Sequence, residues 1–313
     1  MKAARVVGFG ALAALACAAP RPQPASEAVI TTVPIRDRYA RARVEMVAAV
    51  NADRERSGRS AVVLDSLASV VAQAHAEEMA AGGWLSHYNA AGLAPYERFA
   101  AAGGTGHVME NVFRSQARNS AEWVLHDPWP RFDIRDAEGW FMSSPGHRAA
   151  ILDPHRARIG VGVAVDRARS AVYVVQELVT EAATLSSPPG MVLPGQEASV
   201  SGHVQVPGAR PLMLVLSREP IQRPWVASGR RPPGGAYADG GDESLVIPPW
   251  AIRWNPADRS FGVELRMGRG AGPSRWYGVL YVAPEDAVRD AVALRHAATD
   301  LGWPAAAFVV EVL

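Results

Sequence analysis

The 313-residue chain has one cysteine, Cys17, and so has no internal disulfide. It must hold itself together by packed cores. Its formal net charge is only +1, without the surplus of Lys and Arg that grips phosphates, so nucleic-acid binding is excluded. The pair Arg230-Arg231, set between Gly229 and Pro232-Pro233-Gly234-Gly235, reads as part of a solvated loop. The apolar run Val6 to Ala16 is too short to cross a bilayer as a helix. There is no HExxH, no nucleophile elbow and no metal-type cysteine cluster, and with them go the commonest signatures of hydrolases. Gly103-Gly104-Thr105-Gly106 lacks the strand-then-helix context of a phosphate loop.

What remains has the composition of a globular protein, 49% hydrophobic and 20% charged, at a length suited to two domains. Lys2 and Arg5 before the apolar run make residues 1–17 a secretory signal. Cys17 ends it after Ala14-Leu15-Ala16, which resembles a bacterial lipobox with Ala14 where leucine is usual. Lipidation there gives a membrane-anchored envelope lipoprotein; the alternative is cleavage near Ala16-Cys17-Ala18, which gives a periplasmic or extracellular product. Residues 18–35, Pro-rich at the start and without periodicity, read as a disordered tether.

Ordered structure is expected next. Arg36 to Gly58 has a helical pattern with Val44, Val47, Ala48 and Asn51 on one face. A second helix starts at the N-cap Asp65, carries Leu67, Val70, Val71, Ala74 and Met79 on one side, and stops at Gly82-Gly83. His75 on this helix reads as a core or rim histidine. A short helix runs from Pro95 to Phe99. Glu110 lies among Val108, Met109 and Val112, where a carboxylate needs a partner. In the stretch Glu138 to Val165 a short helix carries Trp140, a Ser-Pro-Gly turn follows, and His147 stands where the turn hands over to a helical segment, Arg148 to Leu152. Two strands, Ile159 to Val165 and Ala171 to Leu178, close the region.

Read in order, Asn51-x-x-Arg54, Leu64-Asp65, Ala74-His75 through Met79, Trp84-x-Ser86-His87, Gly92-x-x-Pro95-x-x-Arg98, Gly103, Glu110-Asn111, Trp140, Ser144-Pro145-Gly146-His147-Arg148, Ile151-Leu152 and Ile159-Gly160-Val161-Gly162 form one set. This set resembles the bacterial branch of the CAP superfamily, named from cysteine-rich secretory proteins, antigen 5 and pathogenesis-related proteins. The resemblance implies an α+β fold, with a CAP-type α-β-α sandwich over 36–182. It also implies a cleft lined by His87, Glu110 and His147, with Asn111 beside it and a divalent metal in some members. The second acid of animal and plant members falls on Ser143 or Ser144. Two imidazoles and a carboxylate make an open zinc-type ligand set, so zinc or calcium is a candidate cofactor. The serine removes the obvious general base. The expected function is therefore a non-catalytic envelope protein whose cleft binds a metal, a lipid or a peptide; the alternative is a metal-dependent hydrolase of peptide or peptidoglycan bonds.

Arg114 to Asp136 is an insertion relative to that pattern, and Trp123, His126, Trp129 and Phe132 in it either pack back on the domain or form a lid or partner surface. His155 reads as a surface loop histidine. Residues 183–196, rich in Ser, Pro and Gly, are expected to be a linker. Beyond it, 197–313 carries short β-prone runs between Gly/Pro turns, and is read as a smaller β-sandwich-like, Ig-like domain able to dock a partner or glycan. Val288 to Leu301 interrupts it as a helical stretch. Trp225, Trp250, Trp254 and Trp276 are expected as core and turn anchors.

Overall fold

A computed structural model describes residues 39–116, 134–186, 190–235, 243–266, 273–296 and 298–312. The signal with Cys17, the tether, and residues 117–133 of the insertion, with Trp123, His126, Trp129 and Phe132, lie outside the described residues.

The N-terminal part runs α1 (Ala40–Arg56), β1 (Val63–Leu64), α2 (Ser66–Gly82), α3 (Pro95–Ala101), β2 (His107–Gln116), α4 (Ile134–Ser143), α5 (Pro145–Leu152), β3 (Arg158–Asp166) and β4 (Ala171–Thr180). The strands form one sheet in the order β1-β3-β4-β2, with β1 parallel to β3 and the other pairs antiparallel. Strand β4 is buried at every position because both its faces are covered. Val172, Val174 and Leu178 meet Met46, Val50, Phe141 and Ile151 from α1, α4 and α5, while Ala171, Tyr173 and Val175 meet Ala72, Ala76 and Met79 of α2. This is the expected α-β-α sandwich.

Helix α2 begins where Asp65 Oδ1 accepts the amide of Ala68 at 2.7 Å, and ends at Gly83 in the left-handed conformation, φ 68°. It lies very close to β3. A Cβ on Gly160 would stand 2.2 Å from the carbonyl carbon of Ala68, and one on Gly162 would stand 2.1 Å from Ala72 O. The Gly-x-Gly spacing lets the helix backbone rest on the strand.

The apolar faces of the first two helices differ from expectation. Helix α1 buries Ala42, Met46, Val50 and Arg54, a strict i+4 row, and leaves Val44 63% exposed. Helix α2 buries the expected Val71 and Met79 together with Ala68, Ala72, Ala76 and His75, but leaves Val70 65% exposed. On α2 the small residues Ala68 and Ala72 face Gly160 and Gly162, where the close approach leaves no room for a larger side chain, whereas α1 turns Met46 and Val50 inward.

The C-terminal part comprises β5 (Ala183–Leu185), β6 (Met191–Val192), β7 (Glu197–Val204), β8 (Ala209–Glu219), α6 (Pro224–Ala227), β9 (Ser244–Ile247), β10 (Arg253–Asn255), β11 (Ser260–Arg266), β12 (Ser274–Pro284), α7 (Glu285–Leu294) and β13 (Trp303–Val312). Two sheets, β10-β11-β7-β5 and β6-β13-β12-β8-β9, enclose a core that includes Val200, Phe261, Val263, Leu214, Leu280 and Phe308. The stretch read as a linker contributes two strands among its described residues: β5 pairs with β7, and β6 pairs with β13. Trp254 and Trp276 pack on the core, whereas Trp250 is 39% exposed.

Residues Arg38–Leu313 form one compact unit. Tyr96 of α3 stacks on Tyr277 of β12 at 3.9 Å, and the Ala307 amide donates to Thr105 O at 2.8 Å. Buried Glu97 receives Arg223 at 3.2 Å and Arg275 at 3.0 Å, both from the C-terminal part. His155 is not a surface loop residue: its ring lies flat on Trp303, 4.3 Å between centroids, in the contact between the two parts.

Candidate functional site

Residues Glu110 and Asn111 are neighbours on β2, the edge strand, so their side chains leave on opposite faces of the sheet. Glu110 points to the α2 and α3 side, opposite Glu177 on β4; Asn111 points to the α5 side, opposite Gln176. A cleft of about 470 Å³ runs across this edge and is lined by both residues, by His87 and by His147. The fold therefore brings His87, Glu110 and His147 to one cavity.

On the first side of the edge, His87 Nδ1 meets Glu110 Oε1 at 2.8 Å, and Arg98 of α3 pairs with Glu110 Oε2. Arg98 also donates to His87 O at 2.6 Å, which fixes the loop carrying the imidazole. Burial alone would raise Glu110, but the Arg98 guanidinium and then His75 and His87 hold its pKa well below the ordinary range. Glu177 is shifted in the other direction, by burial first and then by the Glu110 charge, and keeps its proton. One cation thus serves a buried pair of carboxyls of which one is ionised. His75 is a core residue, with Nε2 2.8 Å from Ser86 O.

On the other side, His147 lies in the first turn of α5, which opens at Pro145, three residues before the expected start at Arg148. Its ring rests 5.0 Å from Trp140 and 5.4 Å from Phe141. Burial, then the proximity of His87, lowers its pKa, so the imidazole is neutral at pH 7. Asn111 Nδ2 donates to His147 O at 3.4 Å and to Gln176 Oε1 at 3.0 Å, and Gln176 Nε2 donates to Glu138 Oε2 at 2.6 Å. Ser144 caps α5 by position and lines the cleft; Ser143 is exposed, and its hydroxyl donates to Trp140 O at 2.7 Å.

The three-ligand metal set does not fit this geometry. Glu110 gives one oxygen to His87 and the other to Arg98, so it orients the imidazole and has a cation already. Among the described residues no group of three or more His, Cys, Asp or Glu could hold a metal ion. Sequence reasoning assigned no role to Arg98, although it stood in the motif set, and it missed Glu177, Gln176 and Glu138. The signal for Gln176-Glu177 was present, a polar pair inside the otherwise apolar strand Ala171 to Val179.

Residues 47–178 match the model of the cysteine-rich secretory protein family, CAP. Among solved structures the chain is similar to an extracellular protein containing an SCP domain from Bacillus anthracis, with 18% identity and a TM-score of 0.36 over 44% of this chain and 40% of that one. It is also similar to an outer surface protein of Borrelia burgdorferi, with 13% identity and a TM-score of 0.35 over 44% of this chain and 90% of that one. The chain thus spans two fifths of the length of the Bacillus protein. No curated protein matches it.

Proposed function

With a CAP domain at residues 47–178, we propose that this is an exported envelope protein whose cleft binds a small amphipathic lipid without catalysing its conversion. The observation that carries the reading is the cleft itself. Its volume of about 470 Å³ is that of a small-molecule site, and its walls mix Leu85, Met109, Val112, Trp140 and Ala150 with a few polar groups. The polar groups are committed to structure. Glu110 is held by Arg98 and His87, Asn111 by His147 O and Gln176, and Ser86 by Pro233 O. An apolar chain gains from burial against such walls, and the neutral His147 is placed to meet a polar head.

The test is titration of the protein with a dansyl-labelled long-chain fatty acid. Saturable binding with energy transfer from tryptophan is expected, and Gly146→Leu should weaken it. Gly146 lines the cleft, and a Cβ there meets nothing within 4 Å, so a larger side chain is accommodated at the cleft without disturbing the fold. No saturable binding would remove the reading. Hydrolysis of casein or peptidoglycan that is lost in His147→Ala would replace it with a hydrolase. Export rests on Lys2, Arg5 and the apolar run before Cys17, and the mature protein is expected to carry lipid on Cys17. Mass spectrometry finding an unmodified N-terminus at Ala18 or later would refute the anchor.

A further inference from the structure

The connection between β8 and β9 does not stay with its own sheets. From Arg223 to Gly235 it lies along the loop that follows α2, residues 85–92, like a strap. Arg223 is buried and anchors it: Nε donates to Gly92 O at 2.8 Å, Nη2 reaches Glu97 at 3.2 Å and Glu219 at 3.0 Å, and the guanidinium stacks 4.4 Å over the Tyr88 ring. Trp225 follows, 5.0 Å from Tyr88. A Cβ on Gly92, whose φ is +79°, would stand 2.8 Å from Val226, so this loop of the CAP domain is shaped to receive the strap. At the far end the Ser86 hydroxyl donates to Pro233 O at 2.5 Å, next to His87. The strap then reaches the cleft, where Gly234 and Gly235 line the cavity together with Leu85 and Ser86.

We propose that this strap is one wall of the cleft and that its two glycines set the width open to the ligand. Selection by the CAP domain is then shared with the C-terminal part. The inference rests on the binding reading above. Its physical basis is that Gly234 and Gly235 present bare backbone to the cavity: a Cβ on Gly234 would stand 3.3 Å from Leu85 O, so glycine lets the strap lie close on that loop. A Cβ on Gly235 meets nothing within 4 Å, and its φ of +103° is one that only glycine adopts without strain. A broader ligand can lie against such a wall.

The experiment compares four variants of the full chain with the same dansyl-labelled fatty acid. Gly235→Leu fills the strap side of the cleft. It has two controls: Gly235→Ala puts the same backbone strain at the same residue with a single methyl group, and Gly229→Leu lies on the same strap, also has positive φ (+63°) and open space around its Cβ, and does not line the cavity. Gly146→Leu narrows the cleft from α5. At least tenfold weaker binding is expected for Gly235→Leu and Gly146→Leu, with Gly235→Ala and Gly229→Leu unchanged. If Gly146→Leu weakens binding and Gly235→Leu does not, the strap inference falls and the binding reading stands. If Gly235→Ala or Gly229→Leu weakens it as much as Gly235→Leu, the effect is strap folding and the inference again falls. If neither Gly146→Leu nor Gly235→Leu has an effect, or the unaltered chain does not bind, the binding reading falls and takes the inference with it.

Discussion

Replacing Glu138 with glutamine should make the protein more stable in alkali while leaving it almost unchanged in acid. Glu138 of α4 is buried, and it accepts from Gln176 Nε2 at 2.6 Å through Oε2, while Oε1 has no partner among the described residues. Burial dominates and raises its pKa to about 7; the Gln176 hydrogen bond opposes this, and the charge of Asp53 adds to it. The folded-state value lies above the ordinary 4.5, so folding favours the protonated carboxyl. That contribution is complete below about pH 4.5 and is lost as pH rises through about 7. The gap, at about 1.36 kcal/mol per pH unit, amounts to about 3.4 kcal/mol by pH 9. Glu138→Gln keeps the shape and the bond to Gln176 without a charge to bury. Urea denaturation of both proteins at pH 5, 7 and 9 should give free energies equal within about 1 kcal/mol at pH 5 and a gain of about 3 kcal/mol for the variant at pH 9. Equal stabilities at pH 9, or a wild type that gains on the variant as pH rises, would show that Glu138 is solvated or paired when charged.

Arg98→Met leaves ionised Glu110 buried beside Glu177 without a cation, and should cost about 3–5 kcal/mol in urea denaturation; Glu110→Gln in the same chain should recover part of it. A loss below about 1 kcal/mol would mean that the carboxyl pair does not need the guanidinium. Gly160→Ala pushes a methyl group into the α2 backbone and should destabilise by about 1–3 kcal/mol or more, whereas Gly146→Ala, in a helix and in open space, should stabilise by up to about 1 kcal/mol. Thermal melts check both, and equal effects at the two sites would refute the close approach of α2 to β3. Residues 36–182 expressed alone keep their own sheet and clusters and should fold, but with a lower melting temperature, because Tyr96 and Glu97 lose Tyr277, Arg223 and Arg275. A fragment as stable as the full chain would mean that these contacts contribute nothing.

What the sequence determined by itself was local. Asp65 and Gly83 mark the ends of α2 because a cap is a matter of a few neighbouring residues, and apolar runs on β3 and β4 announce strands covered on both faces. The ordered motif set located the region that matches the CAP family model, with His87, Glu110 and His147 inside it. The helix faces were legible only in part: Val71 and Met79 are buried as their spacing suggests, but Val44 and Val70 look like core and are exposed, because the packed sheet decides which row of each helix turns inward. Nor was the state of the site. Glu110 reads as a carboxylate that needs a partner, and only the fold shows Arg98, Glu177 and His87 gathered around it. The cleft's far wall comes from Gly234 and Gly235, more than a hundred residues from Glu110 in the chain. Local propensity is written in the order of neighbouring residues, but the partner of a buried charge and the shape of a cavity depend on which distant segments pack together, and that is set by the whole core at once.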